Sequence, residues 1–312
     1  MTQTNGAHTD IAIIDIGSNS VRMVCYRVYG NDITITSNER KICALGQYLD
    51  QTGKLCPQGK VMTTDILKKF SAQLSENQIT TLHIIATAAV REAHDGQEFI
   101  EDIKKQTGLD VQILSGEQEA LYSGYGVLSA FPDSHGLAGD LGGGSLELSN
   151  ISDGKPSNGL SLPIGVLRLH PRQQDAYDHA IGYLKDIGDH YRQYNTFYAV
   201  GGSWRAVAEA HQYWKGIKDT HSHGYEVAAS ELRDFLEHMY KTAPDILMSE
   251  YGVADDRTKL IPYAVIALQA LIDEIQFENI KFSNAGLRDG LLFTLARDTN
   301  EQKEINKDKE PA

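Results

Sequence analysis

Residues 11–28 read IAIIDIGSNSVRMVCYRV, and residues 136–151 read GLAGDLGGGSLELSNI. With Asp15 set against Asp140, the two stretches match position by position. Each is an apolar run ending in an acid. Gly follows two positions later (Gly17, Gly142) and Ser five positions later (Ser20, Ser145). A second alternating run comes next, through Val21 and Met23 in one copy and Leu146 and Leu148 in the other. Alternation on both sides of small residues predicts strand–turn–strand. Two copies predict two similar halves, each bringing one carboxylate and one phosphate-binding turn to a shared cleft.

The turns suggest the chemistry. A backbone that brings several N–H groups onto a phosphate cannot carry bulky side chains there. Gly142, Gly143, Gly144 and Ser145 meet that need, and Gly17, Ser18, Asn19 and Ser20 meet it more loosely. A pair of ordinary glycine-rich hairpins would use the same residues. The repeated Asp at one offset favours phosphate. A carboxylate beside bound phosphate is repulsive unless a cation lies between them. Asp15 and Asp140 are therefore candidate ligands for Mg²⁺ (or Mn²⁺), which uses one or two carboxylates, waters and phosphate oxygens. Each Asp could instead cap its own turn. Strand residues alternate faces, so Ser20 and Arg22 share one face, as do Ser145 and Glu147. Arg22 becomes a candidate phosphate ligand. Glu147 becomes a candidate for orienting a metal or a water. An exposed strand face would give the same pattern.

Arg91 follows the strand LHIIAT near a helix start, a place that already favours anions, and adds a planar charged fork. A surface Arg paired with Glu92 or Glu98 is the plainer reading. Residues 115–120, SGEQEA, begin a helix, and Ser115 with Gln118 fits a capping box. Acids in a first turn are common for dipole reasons alone. Glu119 shares a helical face with Tyr122, Ser123 and Gly126, a polar or small stripe suited to a cleft. Glu117 aligns instead with Leu121 and Gly124. Gly201, Gly202 and Ser203 connect a strand to a helix and could approach a phosphate, or simply make a tight turn. The same holds for NAGLRDG at 284–290. His221 and His223 stand in a polar loop and read as surface residues.

Composition sets bounds. The 312 residues allow two domains of ordinary size. The formal net charge of −13 argues against nucleic-acid binding and opposes a polyanionic substrate at long range. Local positive potential must then come from particular Arg residues and a metal. The polar start MTQTNGAHTD lacks a signal-peptide core, and no stretch reaches the ~20 apolar residues of a membrane span. Three cysteines, Cys25, Cys43 and Cys56, suit neither zinc nor a redox pair. A cytoplasmic protein with reduced thiols and no membrane partner is expected.

Strand patterns alternate with helical ones, which indicates α/β. Helices are expected at 60–74, 90–108 and 117–128, then at 175–194, 204–210, 230–240 and 259–274. The linker SAFPDSH separates expected domains at 1–130 and 131–312, with the last helix packing back on the first and a frayed charged tail from 301 onward.

DIGSNSVRMV, TAAVREA, SGEQEA, DLGGGSLEL, AVGGSWRA and SNAGLRDG together resemble the exopolyphosphatase and guanosine-pentaphosphate phosphohydrolase family, over nearly the whole chain from Ile11 to about Arg297. That resemblance implies two ribonuclease-H-like domains around a central cleft, within the actin, sugar-kinase and heat-shock-70 ATPase superfamily. It implies hydrolysis of a terminal phosphate from inorganic polyphosphate or from guanosine pentaphosphate, (p)ppGpp being the alternative partner. In the family's SG-x-x-EA pattern the Glu before Ala is the general base, here Glu119. The family also places Arg22, Arg91, Asp140, Gly143, Ser145 and Glu147 in the cleft. Homodimers are common in such families. Two positions depart from the pattern: Leu146 replaces a usual Thr, and Gln118 a usual acid. The chain also ends before the further C-terminal helical domain of longer members, which puts processive degradation of long chains in question.

Together these readings predict metal-assisted phosphoryl transfer to water. Backbone amides of Ser18, Asn19, Gly143, Gly144 and Ser145 would hold the phosphate, Arg22 and Arg91 would steady its charge, and Glu119 would activate the water. A kinase of the same superfamily and a non-catalytic nucleotide- or polyphosphate-binding regulator are the rivals.

Overall fold

The computed structural model describes residues 8–30 and 32–307. It divides into two compact units, 1–115 and 116–312. The division falls one helix earlier than the linker read from the sequence. The segments 1–7 and 308–312, including the polar start and the end of the charged tail, lie outside the described residues.

The first unit is built on a five-stranded sheet. Its strands are β1 (Thr9–Ile16), β2 (Ser20–Tyr29), β3 (Asp32–Ile42), β4 (Thr81–Ala86) and β5 (Gln112–Ile113), in the order β3-β2-β1-β4-β5. β1, β2 and β3 are antiparallel neighbours, whereas β4 and β5 continue in parallel from β1. Alternation sends Ala12, Ile14, Ile16, Val21, Met23 and Cys25 to one face, where they bury against Leu67, Phe70, Phe99 and Ile103 of the helices Pro57–Glu76 and Gly96–Thr107. The expected single helix over 90–108 is two, Ala88–Glu92 and Gly96–Thr107. The break has a steric cause. A Cβ on Gly96 would lie 1.9 Å from the Val90 carbonyl oxygen, so the chain must turn at a glycine there.

The second unit repeats the plan. Its strands are β6 (Gly136–Leu141), β7 (Leu146–Ser152), β8 (Lys155–Leu162), β9 (Thr196–Val200), β10 (Glu226–Ala228) and β11 (Asn279–Ser283). The order β8-β7-β6-β9-β11 has the same directions as the first sheet, with β10 added at the edge. Both sheets thus have the ribonuclease-H-like strand order, and the fold is α/β with two mixed sheets. The sequence pattern missed β8 and β10. β8 carries Pro156, Ser157, Asn158 and Gly159 and has no clean alternation.

One face of the second sheet buries Leu146, Leu148, Phe197, Trp204, Phe235 and Leu268. On the other face Val127 and Leu128 of the helix Gly116–Ala130 pack on Ala138, Ile151, Tyr198 and Val200. The final helix, Leu287–Lys307, crosses that helix at glycines and runs through 301–307, read from sequence as frayed. A Cβ on Gly290 would fall 1.7 Å from the Tyr122 carbonyl oxygen, and one on Gly126 2.2 Å from that of Gly286. No helix among the described residues is long and apolar enough to cross a membrane.

Two stability predictions follow. Gly290→Ala forces apart backbone that cannot yield, and should cost at least about 1–3 kcal/mol. A wild-type urea midpoint for the variant would contradict the close crossing. His211 is wholly buried, with Nδ1 2.8 Å from the Tyr225 hydroxyl and Phe235 beside the ring. Burial pushes its pKa below the usual histidine value of 6.5, while Glu231 pulls weakly the other way. The unfolded chain therefore takes up this proton first, and its contribution to stability is lost as pH falls below about 6.5. Thermal midpoints should drop more steeply between pH 7 and 5 in the wild type than in His211→Gln. Parallel curves would exclude this role.

Candidate functional site

In the first unit, the end of the β1–β2 hairpin is a tight turn. The Gly17 amide donates to the Ser20 carbonyl at 3.0 Å, and Asp15 pairs directly with Arg22 across the strands. The segment after β3 holds the turn from behind. Gly46 N–H donates to the Ser18 carbonyl at 2.8 Å, and the amides of Cys43 and Ala44 both donate to that of Asn19 at 3.0 Å. In a trans peptide the C=O and the following N–H point opposite ways. The Asn19 and Ser20 amides are therefore turned away from the tethering segment. Ser18 itself is buried.

Arg91 comes to the same end of this sheet. β4 lies beside β1, and the Thr87 amide donates to the Ile16 carbonyl at 3.2 Å. A Cβ on Gly46 would touch the Cβ atoms of both Ser18 and Ala89, so the short helix Ala88–Glu92 rests against the turn. Arg91 Nη1 donates to the Leu114 carbonyl at 3.1 Å, and Nη2 is 3.7 Å from Glu92. The side chain is mostly buried and fixed from one side by a neutral acceptor.

The second unit has the same turn. Gly142 N–H donates to the Ser145 carbonyl at 2.9 Å, and Asp140 pairs directly with Glu147. Val166 and Leu167 donate from behind to the carbonyls of Gly142 and Gly143 at 3.2 and 2.8 Å. The Gly143 and Gly144 amides are turned away by the same peptide geometry. Leu146, in place of the usual Thr, is fully buried in the core, so its identity changes packing and not the polar face.

Three elements meet at the Asp140 carboxylate. Ser123 Oγ donates to Oδ2 at 2.9 Å. Gly201 approaches Oδ1 closely enough that a Cβ there would be 3.3 Å away, and its φ of 113° also calls for glycine. Gly286 closes on Oδ2 in the same way. Glu119 lies one helical turn before Ser123 on the same face and is 5% exposed, whereas Glu117 is exposed. Glu147 is 4% exposed and accepts from Ser161 Oγ at 2.8 Å. Ser161 in turn sits against Gly116 at the start of the Glu119 helix. Glu119, Asp140, Gly142, Gly143, Gly144, Ser145, Glu147 and the turn Gly201–Gly202–Ser203 are thus gathered within this unit.

Sequence reasoning missed three arginines here. Arg205 is the third residue after Gly202. Burial pushes its pKa below the usual arginine value, helped by Arg257 and Arg288, while Glu209 and Asp140 oppose the shift. Arg257 donates to the Gly202 carbonyl, and its guanidinium would touch a Cβ placed on Gly202. Like charges gather at such a price only where anionic partners offset them. Arg205 and Arg288 stood inside the quoted motifs. Arg257 lies in the short helix Asp255–Thr258, outside the quoted motifs.

Among the described residues no group of three or more His, Cys, Asp or Glu is arranged to hold a metal. The neighbouring carboxylates Asp140 and Glu147 fit the other mode, hard oxygen donors for a hydrated ion that also takes phosphate oxygens.

Known proteins resemble this chain over most of its length. The sequence profile of the Ppx/GppA phosphatase family matches residues 24–299. A Haemophilus influenzae protein with a provisional exopolyphosphatase name is 24% identical over 302 residues, 92% of each chain. Exopolyphosphatase 1 of Mycobacterium tuberculosis is 31% identical over 162 residues, 51% of this chain and 47% of that one. The crystal structure of an exopolyphosphatase from Cytophaga hutchinsonii matches with a TM-score of 0.82 at 21% identity, over 93% of this chain and 98% of that one, a likeness of fold.

Proposed function

The chain belongs to the Ppx/GppA phosphatase family, and on that footing we propose that it hydrolyses the terminal phosphate of inorganic polyphosphate. The observation that carries this reading is the placement of Glu119. A nearly buried carboxylate stands one turn from Ser123, which is bonded to Asp140 beside a glycine turn with outward amides. That is a base next to an anion cradle.

In this reading the Gly143 and Gly144 amides bind oxygens of the terminal phosphate. Glu119 accepts a proton from the attacking water as the new P–O bond forms and the phosphoanhydride P–O bond breaks. The helix fixes its height, and Ser123 holds Asp140 in register with it. Arg205, Arg257 and Arg288 supply fixed positive charge where negative charge grows on the leaving chain. Asp140 and Glu147 would hold Mg²⁺ (or Mn²⁺), which when bound supplies neutralisation of phosphate charge. In the first unit, Asp15 is the counterpart of Asp140. The Asn19 and Ser20 amides, with Arg22 and Arg91, are the anion-binding groups, and Ser18 is the buried residue that anchors them.

The test is phosphate release from polyphosphate and from guanosine pentaphosphate, with Mg²⁺. Wild-type protein should release phosphate from polyphosphate. Release from guanosine pentaphosphate alone would replace the substrate, and binding of either without release would replace the enzyme by a regulator. Glu119→Gln should lower kcat by about 10²–10⁴-fold while polyphosphate still binds. Wild-type turnover by that variant would remove Glu119 from the role of base.

A further inference from the structure

We propose that a groove between two helices of the second unit binds a neutral amphipathic small molecule, an apolar body ending in an amide-type head. The site lies apart from the glycine turns, and the inference does not depend on the phosphatase reading above.

The groove is formed by the helices Ala229–Lys241 and Ile261–Ile275, with Tyr177 from the start of the helix Ala176–Tyr191. Arg233, Glu237 and Tyr240 recur at helical spacing on the first, as do Val265, Gln269 and Asp273 on the second, so each set is one stripe along its helix. The two helices run antiparallel along it. Arg233, early in the first, pairs with Asp273, late in the second, Nη2 to Oδ1 at 2.8 Å. Tyr240, late in the first, lies near Tyr263, early in the second. The cavity has a volume of about 570 Å³, within the ~300–1,000 Å³ typical of small-molecule sites. From Arg233 to Tyr240 the helix rises about 10 Å, which sets the length of an occupant.

The groove is polarised along that length. One end has a floor of Leu236, Val265 and Ile266, all nearly buried, and a wall made by the Tyr240 ring, which is 46% exposed. The other end is polar and centred on Asp273. Tyr177 donates to Oδ2 at 2.7 Å, and Gln269 Nε2 donates to both carboxylate oxygens at 3.0 Å. Burial, and then the bond to Asp273, pushes the Tyr177 pKa above the usual tyrosine value, so its hydroxyl stays a donor. The Asp273 carboxylate is thus filled by its donors, and its charge is met by Arg233. Glu237 is met in the same way by Lys241 at 2.6 Å. The charges of the lining residues cancel in pairs. An ionic head would give up its water to groups that already have partners, an unfavourable exchange. What remains is hydrogen-bonding capacity. Among the described residues, Arg233 Nε and Nη1 and Gln269 Oε1 take no partner. Both side chains reach the same carboxylate, so these donors and this acceptor are neighbours. A ligand edge with a C=O beside an N–H complements them, as a primary amide does. A carboxylate would face the Gln269 oxygen, and an ammonium the guanidinium.

Calorimetric titration of the full chain with three ligands of one body and different heads tests this: 4-butylbenzamide, 4-butylbenzoate and 4-butylbenzylammonium. The neutral amide should bind at one site with a Kd of about 1 mM, the order expected for a ligand of this size, and the two ions at least about tenfold more weakly. Ile266→Trp, which fills the apolar end, should abolish amide binding. Tyr240→Ala, at an exposed position that does not endanger the fold, should weaken it about fivefold through lost apolar contact. Gln269→Leu should remove the preference for the amide over the ions. Absence of saturable amide binding, or an unchanged Kd in Tyr240→Ala, would overturn the site. Equal affinity for the three heads would overturn the head group. A concentration-dependent dimer that Tyr240→Ala dissociates and the amide leaves intact would assign the groove to a second copy of the chain instead.

Discussion

The structure depends most on peptide carbonyls held from behind. In each unit a turn between two antiparallel strands has its carbonyls fixed by a downstream segment, 43–46 in one and 166–167 in the other. Because the peptide is planar and trans, fixing a carbonyl fixes the next amide in the opposite direction. An anion-binding surface needs several N–H groups aimed together before the anion arrives, since turning them afterwards would cost conformational entropy. The tether provides that order in advance. It also explains the crowding at Gly165, where a Cβ would fall 2.4 Å from Gly143 oxygen and Ser145 nitrogen. The tethering segment must come this close to reach the carbonyls.

The second constraint is charge. Under the proposed function, a protein of net charge −13 has to attract phosphate locally. Arg205, Arg257 and Arg288 gather near Asp140, and Arg22 faces Arg40 across a strand pair. Each cluster costs self-repulsion and, for Arg205, desolvation. Glu209 and Asp140 reduce that cost at Arg205, and a buried guanidinium in low dielectric acts on a nearby anion more strongly than a solvated one. The acidic remainder of the surface then has little bearing on binding at close range.

Much of this was legible in the residues. The hairpin repeat was readable because alternation around small residues has one simple structural meaning, and its offsets carried straight into the register: Asp15 to Arg22, Asp140 to Glu147. Helical phase only leaned toward Glu119 over Glu117, the family pattern named Glu119, and burial separates them in the same sense. What was not legible depends on long-range packing. The end of the helix at Glu92 follows from the approach of Gly96 to Val90, which no local propensity reports. β8 lacks alternation because the strand is crossed closely by the Glu119 helix, and a Cβ on Gly159 would lie 2.6 Å from the Glu117 carbonyl. Arg257 stands outside any glycine motif, and only the fold brings it to the turn at Gly202.

The repeat also shows where two equal beginnings diverge. Asp, Gly and Ser keep their offsets in both copies, so the turn and its tether are retained. The residue opposite the Asp is a cation in the first unit, Arg22, and a buried carboxylate in the second, Glu147. A guanidinium at that position can bind phosphate oxygens but cannot accept a proton or hold a cation. A carboxylate there can do both, and repels phosphate unless a cation intervenes. In the proposed reading, that one difference suits the first turn to holding an anion and the second to holding a cation beside one. The Glu119 helix packs on the second sheet and places Ser123 on Asp140 of the carboxylate pair.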